Sequence, residues 1–553
     1  MIKHFRNTLY VLLFFPILHG INGCQNVDKL KFSNYFFYNE DQNVNTLDPA
    51  FARAQSEIWV ISQMYEGLVE FDDNLNICPN LAKNWEVSDS GKTYLFHLRT
   101  DVFFHAVGPF KNKPRKMIAN DVVYSFRRIA DPATASPGAW VFNDKMDLRC
   151  FDTNDSIPFP VTAINDSTLK IQLTHAFKPF LGILAMYYCF VVPKEAVGKD
   201  FRSRPIGTGP FQFVKWEEEV AILMTKNNLY YRFENGKRLP YLDGIMVENV
   251  KNKQTAFMKF IQGEYDFFNG VDATIKDEML DKKAHLKPKY SKSFNLVKAP
   301  FLNTEYLGFN IGPKYKNHPL SHVHIRKAIN FAIDRKKMIA YLRNGVGMPE
   351  TYGFVPAGMP GYPYNNLMEN VYNIDSAKWY IKASGLDLSQ SEEIVINTTQ
   401  DYLELMIFVQ KEMQKIGLKV RIEVHPSSFL RQLKKEQQIN CFRGSWIADY
   451  PDPENYLICF KTENFSPNGP NYFHFSNARY DALFKQANAE SDNQKRLQIM
   501  AEAEKIMQSE MPCIILYYDE SLRLTQNWIE GLHSNPINFL RLRHVKKSKS
   551  NGV

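Results

Sequence analysis

Much of what would mark an enzyme is missing from this chain. There is no H-E-x-x-H, no G-x-S-x-G and no cluster of cysteines and histidines at zinc-ligand spacing. Gly207 and Gly209 sit in a glycine-proline joint, but no helix with Lys-Ser/Thr follows, so a phosphate loop is excluded. His322 and His324 form a lone His-x-His pair without cysteine or carboxylate partners in sequence, which argues against a metal site. No C-x-x-C pair occurs among the seven cysteines, Cys24, Cys78, Cys150, Cys189, Cys441, Cys459 and Cys513, so a dithiol redox site is not indicated. Internal repeats and low-complexity tracts are absent. After the first twenty residues no apolar run reaches the roughly 18 residues that a membrane-spanning helix needs. The excess of positive charge is also small. The formal +8 falls when Lys3 and Arg6 leave with the export signal described below. Arg541, Arg543, Lys546, Lys547 and Lys549 form a basic C-terminal stretch, read as a solvated tail, and the remainder is close to neutral. That balance gives no footprint for nucleic acid.

What is present begins at the N-terminus. Lys3 and Arg6 precede a short apolar run over 9–18, which ends at Ile21-Asn22-Gly23-Cys24. This reads as an export signal, too short to span a bilayer. An aliphatic and a small residue just before a cysteine resemble a bacterial lipobox. The expectation is a signal over 1–23, with Cys24 lipidated as the first mature residue. An ordinary cleaved signal with a chance cysteine is the alternative. Acyl chains on Cys24 would tether an otherwise soluble protein, each buried methylene contributing about 0.8 kcal/mol. The remaining six cysteines would then lie in an oxidising compartment, where disulfides and free thiols are both open and six cysteines allow 15 pairings.

About 530 residues are too many for one core, so two or three domains are expected. Residues 85–98 alternate in strand fashion around a turn at Ser88-Asp89-Ser90-Gly91, and 162–173 read as two strands around Asn165-Asp166. Asn120 or Asp121 is expected to cap a short helix running through Arg128, and helical spacing is visible over 58–65. Ile325, Ala328, Ile329, Ala332, Ile333 and Ile339 mark a helix ending near Gly345, Asp375 is expected to cap another, and 493–509 form a further one. Residues 393–398, 402–416 and 420–424 form a strand, helix and strand, the signature of an α/β lobe. The fold class expected is α/β.

One segment stands out within this frame: Ser445-Trp446-Ile447-Ala448-Asp449-Tyr450-Pro451-Asp452-Pro453-Glu454-Asn455-Tyr456. A β-prone run delivers Asp449 into a turn braced by two prolines. A carboxylate held on a rigid turn beside aromatic rings suits capture of a cation, although capping of that turn would use the same residue. Asp452 and Glu454 are expected on a solvated turn. Residues so close in one turn rarely straddle a bond, so a glycosidase pair is disfavoured.

The motifs, taken in order, resemble one known family. They are Tyr65-Glu66-Gly67-Leu68, Leu81-Ala82-Lys83-Asn84-Trp85, Phe96-His97-Leu98-Arg99 and Ala119-Asn120-Asp121-Val122-Val123-Tyr124-Ser125-Phe126. Asp131-Pro132-Ala133-Thr134-Ala135-Ser136-Pro137 and Gly207-Thr208-Gly209-Pro210 follow. Then come Gly263-Glu264-Tyr265-Asp266, Gly308-Phe309-Asn310, Arg326-Lys327-Ala328-Ile329 and Ala332-Ile333-Asp334-Arg335. Over about 45–520 they are similar to the bacterial extracellular solute-binding proteins of family 5, which serve peptide and nickel ABC importers. The turn at 134–137 and the run 446–449 look most like the oligopeptide-binding branch.

The resemblance implies a bilobal periplasmic-binding-protein fold with an extra inserted domain and a hinge. One domain would combine 24–66, 206–300 and 516–553, with 67–205 inserted in it and 301–515 forming the second lobe. It implies a monomer that binds an extended peptide between the lobes and delivers it to ABC permease subunits served by a cytoplasmic ATPase. The compartment would be the periplasm or outer surface of a bacterial membrane. Neither enzymatic activity nor a cofactor is implied. Asp449 would take the peptide's α-ammonium group. Gly444, Ser445, Trp446 and Ile447 would line the cleft from one lobe, and Arg53, Ala54 and Gln55 from the other. Other solutes, a peptide-sensing role without transport and, more distantly, a secreted hydrolase are the competing readings.

Overall fold

The computed structural model describes residues 32–152, 157–269, 271 and 273–548. The predicted export signal and Cys24 lie outside the described residues. Ten strands build the central sheet: β1 (Tyr35–Asn39), β2 (Phe211–Glu217), β3 (Ala221–Lys226), β4 (Gly244–Glu248), β5 (Phe267–Asn269), β6 (Phe294–Phe309), β7 (Ile394–Thr398), β8 (Val420–Val424), β9 (Cys441–Ile447) and β10 (Cys513–Gln526). Their order across the sheet is β8-β7-β9-β6-β10-β5-β1-β4-β3-β2.

Two long antiparallel strands hold this sheet together. β6 and β10 pair from Phe294↔Gln526 to Gly308↔Cys513, with breaks in register between Pro300 and Thr304 and between Glu305 and Tyr306. At one end β10 also pairs with β5, and at the other end β6 pairs with β9. The strands on either side of this pair are therefore joined through paired backbone. The second half of β6, from Leu302 to Phe309, is buried at every residue, and its polar members are bonded there: Asn303 donates to Glu305 Oε1 at 3.0 Å, Thr304 donates to Phe354 O at 2.8 Å, and Glu305 accepts from Arg443.

The predicted strand–helix–strand unit is present. β7 and β8 pair in parallel, Ile394↔Val420 through Thr398↔Val424, joined by the helix Leu403–Gln414. A separate four-stranded antiparallel sheet runs Ala82–Ser88, Thr93–Leu98, Thr168–Gln172, Val161–Asn165. The helix Ala119–Ala130 packs on it with Val122, Phe126 and Ile129 buried; it starts after Ile118, so neither Asn120 nor Asp121 is its cap, and Asp121 instead sits in the first turn and accepts from Ile118 N at 2.8 Å. Gly209 joins the regions: its N–H donates to Met64 O at 2.9 Å, and a Cβ there would lie 2.5 Å from the Met64 carbonyl carbon.

Several expectations need correction. The single helix expected from Ile325 to Gly345 is two helices, Val323–Ala332 and Arg335–Leu342. Ile333 is extended and Asp334 caps the second helix through Lys337 N, so a local cap outweighs continuous apolar spacing. Asn373, not Asp375, caps Ile374–Ala383. The C-terminal stretch is not a solvated tail over its described part. Arg543 pairs with Glu70 at 2.8 Å, Arg541 with Asp73 at 3.4 Å and Lys547 with Asp266 at 2.8 Å. Cys78, Cys150, Cys189, Cys441, Cys459 and Cys513 are all free thiols, five of them buried.

Candidate ligand-binding site

The site starts from the end of β9. Ala448 N donates to Leu302 O at 3.0 Å, and Asn440 O accepts from Asn310 N at 2.9 Å. The even-numbered residues of β9 thus turn their backbone groups toward β6. Strand alternation then turns those of Arg443, Ser445 and Ile447 the other way. On that side β7 meets β9 only at Asn397↔Phe442, with Asn397 Nδ2 donating to Cys441 O at 3.0 Å. Beyond Arg443, no strand among the described residues covers this edge. Ser445 and Ile447 present a bare sheet edge, and the Ile447 side chain is 52% exposed.

Gly444 and Trp446 have different surroundings. A Cβ at Gly444 would lie 2.4 Å from Cζ of Tyr306, so glycine is required there for the cross-strand ring to fit. Trp446 is half-buried and donates from Nε1 to Asn455 Oδ1 at 3.2 Å.

Asp449 follows the bare edge directly. Its N–H donates to Asn455 Oδ1 at 3.3 Å, and the Asn455 side chain also hydrogen-bonds its carboxylate. Asp449 is open to water yet flanked closely by protein, as expected of a group on a cleft wall. Desolvation by these walls raises its pKa, and the bond from Asn455 offsets part of that rise. Among the described residues no cationic group lies within ion-pair distance of it.

The turn beyond it is held by other groups. Asp452 Oδ1 accepts from Glu454 N at 2.9 Å, and Asp452 receives both terminal nitrogens of Arg496 at 2.6 and 2.9 Å. Glu454 is 4% exposed and accepts from the Tyr450 hydroxyl. The solvated turn expected for Asp452 and Glu454 is therefore wrong. The two prolines fold it inward onto a buried arginine from the helix Asn493–Glu510.

The opposite wall comes from the segment before the helix Gln55–Ile61. Buried Glu57 takes the N–H of Arg53 at 2.7 Å and of Ala54 at 3.0 Å, pinning this stretch in extended form. The side chains of Arg53 and Gln55 are exposed. Tyr187 and Tyr188 stand between the two walls, with ring centroids 4.4 Å apart. Burial raises the pKa of both, and both also feel the negative charges of Asp449 and Glu57. Arg53 acts on Tyr188 in the opposite sense. The fold thus brings Arg53 and Asp449, distant in sequence, around one tyrosine pair. Tyr450 closes the floor, stacked on Trp140 and edge-on to Phe177, each at 6.5 Å. Glu57, Trp140, Phe177, Tyr187 and Tyr188 carry no sequence signal that ties them to Asp449, because their proximity is created by packing alone, whereas Asn455 lies six residues on in the same proline-braced segment.

This geometry is a cleft with a bare strand edge that runs into an unpaired carboxylate. The sequence of residues 76–468 matches the family model for bacterial extracellular solute-binding proteins, family 5. The chain belongs to this family.

Full-length relatives agree. The dipeptide-binding protein of Escherichia coli (strain K12) is 25% identical over 496 residues, covering 86% of this chain and 87% of the relative. Heme-binding protein A of Haemophilus influenzae is 26% identical over 499 residues, covering 86% and 85%. A solved structure of the ABC transporter-associated periplasmic binding protein DppA from Helicobacter pylori, in complex with peptide STSA, superposes with a TM-score of 0.72 at 24% identity. It covers 94% of this chain and 100% of that chain. The fold of family 5 periplasmic binding proteins, bilobal and mixed α/β, is therefore the fold of this chain.

Proposed function

We propose that this protein captures peptides between its lobes as the extracytoplasmic binding component of an ABC importer. The observation that carries the reading is the bare edge at Ser445 and Ile447 ending at Asp449, a carboxylate with no cation within ion-pair distance among the described residues. An extended peptide pairs with such an edge through its backbone, which is blind to side chains and suits a broad range of sequences. Its α-ammonium group then meets Asp449. Once the cleft shuts, that charge must be paired, because an unpaired buried charge costs several kcal/mol. Arg53, Ala54 and Gln55 face the ligand from the other wall. Closure bends the molecule at β6 and β10, where the register breaks lie. The hinge separates 301–515 from a domain made of 24–66, 206–300 and 516–553, with 67–205 inserted in the latter. Cys24 carries the lipid anchor, and the chain works as a monomer without enzymatic activity.

The family includes relatives named for other solutes, among them heme. Asp449 favours a ligand with a free amine. Native mass spectrometry of the protein as purified tests the class directly. A ladder of peptide masses is expected; a single small-molecule or metal-bearing mass would overturn the proposal.

A further inference from the structure

A second cavity lies away from the cleft, and none of its lining residues belongs to the Asp449 site. It encloses about 490 Å³ between the helix Val323–Ala332, the segment 352–371 and the junction of Asn493–Glu510 with β10. Small-molecule sites span about 300–1,000 Å³. The floor is apolar and adaptable: Phe331, Met507, Met511 and Ile515. At the rim, Met368 is 63% exposed and Val371 43%, large apolar side chains left to water beside an apolar hole.

Among the polar side chains on its walls, the Asn370 NH₂ is spent on Thr351 Oγ1 and Tyr352 O and the Gln508 NH₂ on Tyr352 O and Met368 O, while the Tyr352 and Tyr380 hydroxyls can donate or accept; Lys327 and Asn330 are the nitrogen donors not already spent among the described residues. Lys327 and Asn330 lie three residues apart on one helix, hence on one face, and both line the cavity. The Lys327 ammonium has neither a hydrogen bond nor an ion pair among the described residues. Asn330 is 4% exposed, and its Oδ1 is taken by Arg335 at 2.5 Å, which leaves its NH₂ group unpartnered. Arg335 stands directly behind this wall, 3% exposed. It donates to Ile515 O at 2.7 Å and Asn330 O at 3.2 Å but has no carboxylate within ion-pair distance among the described residues. A lysine and an amide NH₂ on one helix face thus line the hole, and a buried guanidinium without a counter-ion lies behind them, bonded to the oxygen of the same amide. Glu369, the one acid on the lining, is exposed to water at the rim, where its charge is screened.

From this arrangement we infer that the cavity is a second binding site, for a small amphiphile with an apolar chain and a carboxylate head. The head is held by Lys327 and the Asn330 amide in the field of Arg335. The chain covers Phe331 and Met507 and brings Met368 and Val371 out of water. The inference is independent of the peptide reading, since it uses no residue of the cleft.

Calorimetric titration of the Cys24→Ser protein with decanoate and with decylamine tests it. Decanoate is expected to bind at one saturable site, at least tenfold more tightly than decylamine. Lys327→Met is expected to weaken decanoate at least tenfold, and Val371→Trp, which fills the mouth, to block it; melting curves report folding of both variants. Asp449→Asn is expected to leave decanoate binding unchanged. Equal binding of the amine, no saturation below about 1 mM, or a loss that follows Asp449→Asn rather than Lys327→Met would overturn the inference.

Discussion

Replacing Asp449 by asparagine removes one charge and almost no volume, and its effects on binding and on stability separate cleanly. A hydrogen bond to a charged group contributes about 1.5–3 kcal/mol net. At about 1.4 kcal/mol per factor of ten, the affinity of a free-amino peptide should fall about 10- to 150-fold. Acetylating the peptide amine should produce a similar loss in the unchanged protein and little further loss in Asp449→Asn. The coupling in this cycle, read by calorimetry with one peptide in both forms, measures the ammonium–carboxylate contact. Stability should not follow affinity. Burial raises the Asp449 pKa, so in the empty protein the charged form is disfavoured. A carboxyl with a raised folded pKa stabilises the fold most below its unfolded pKa, and that contribution is lost as pH rises through the folded value. At neutral pH the asparagine variant should therefore melt at or slightly above the parent. Peptide affinity should decline as acid protonates Asp449. Equal affinity for free and acetylated peptides refutes the role proposed here. A melting temperature lowered by several degrees would return Asp449 to a turn-capping part, which Asp452 and Asn455 already fill.

Three other outcomes follow from particular contacts. Cys24→Ser should move the protein from the membrane to the soluble fraction after cell fractionation; unchanged partition would refute lipidation. Asp452→Ala strips the buried Arg496 guanidinium of its bidentate partner and should cost about 3 kcal/mol in denaturant titration; a loss below about 0.5 kcal/mol would mean that another acid takes over. Glu504 is fully buried, bonded by Tyr362 OH at 2.5 Å and Val355 N at 3.0 Å, and burial pushes its pKa up to about 7. Its contribution to stability is complete below about 4.5 and is lost as pH rises to about 7, so Glu504→Gln should flatten that part of the pH–stability curve. An unchanged curve would refute the raised pKa.

Local pattern decided most of the elements. Alternation over 85–98 and 162–173 became antiparallel hairpins because a half-buried strand needs apolar residues at every second position. The unit made by β7, its helix and β8 followed from a switch between periods of two and of about four. The apolar spacing from Ile325 to Ile339 misled, because periodicity does not register a cap such as Asp334 inside it.

By itself the sequence determined where strands and helices form, that Asp449 leaves a β-strand on a proline-braced turn, and which family the ordered motifs resemble. These are properties of neighbours in the chain, and near neighbours are what spacing records. Tertiary structure alone decided what each charge faces. Asp452 meets Arg496, 44 residues away, and Glu70 meets Arg543, 473 away, so groups that looked solvated are paired and inward. Packing also set Tyr187 and Tyr188 between Arg53 and Asp449 and, among the described residues, left Ser445 and Ile447 without a neighbouring strand and put no cation within ion-pair distance of Asp449. Those partners lie in distant segments, and only the assembled sheet and cleft bring them together or keep them apart.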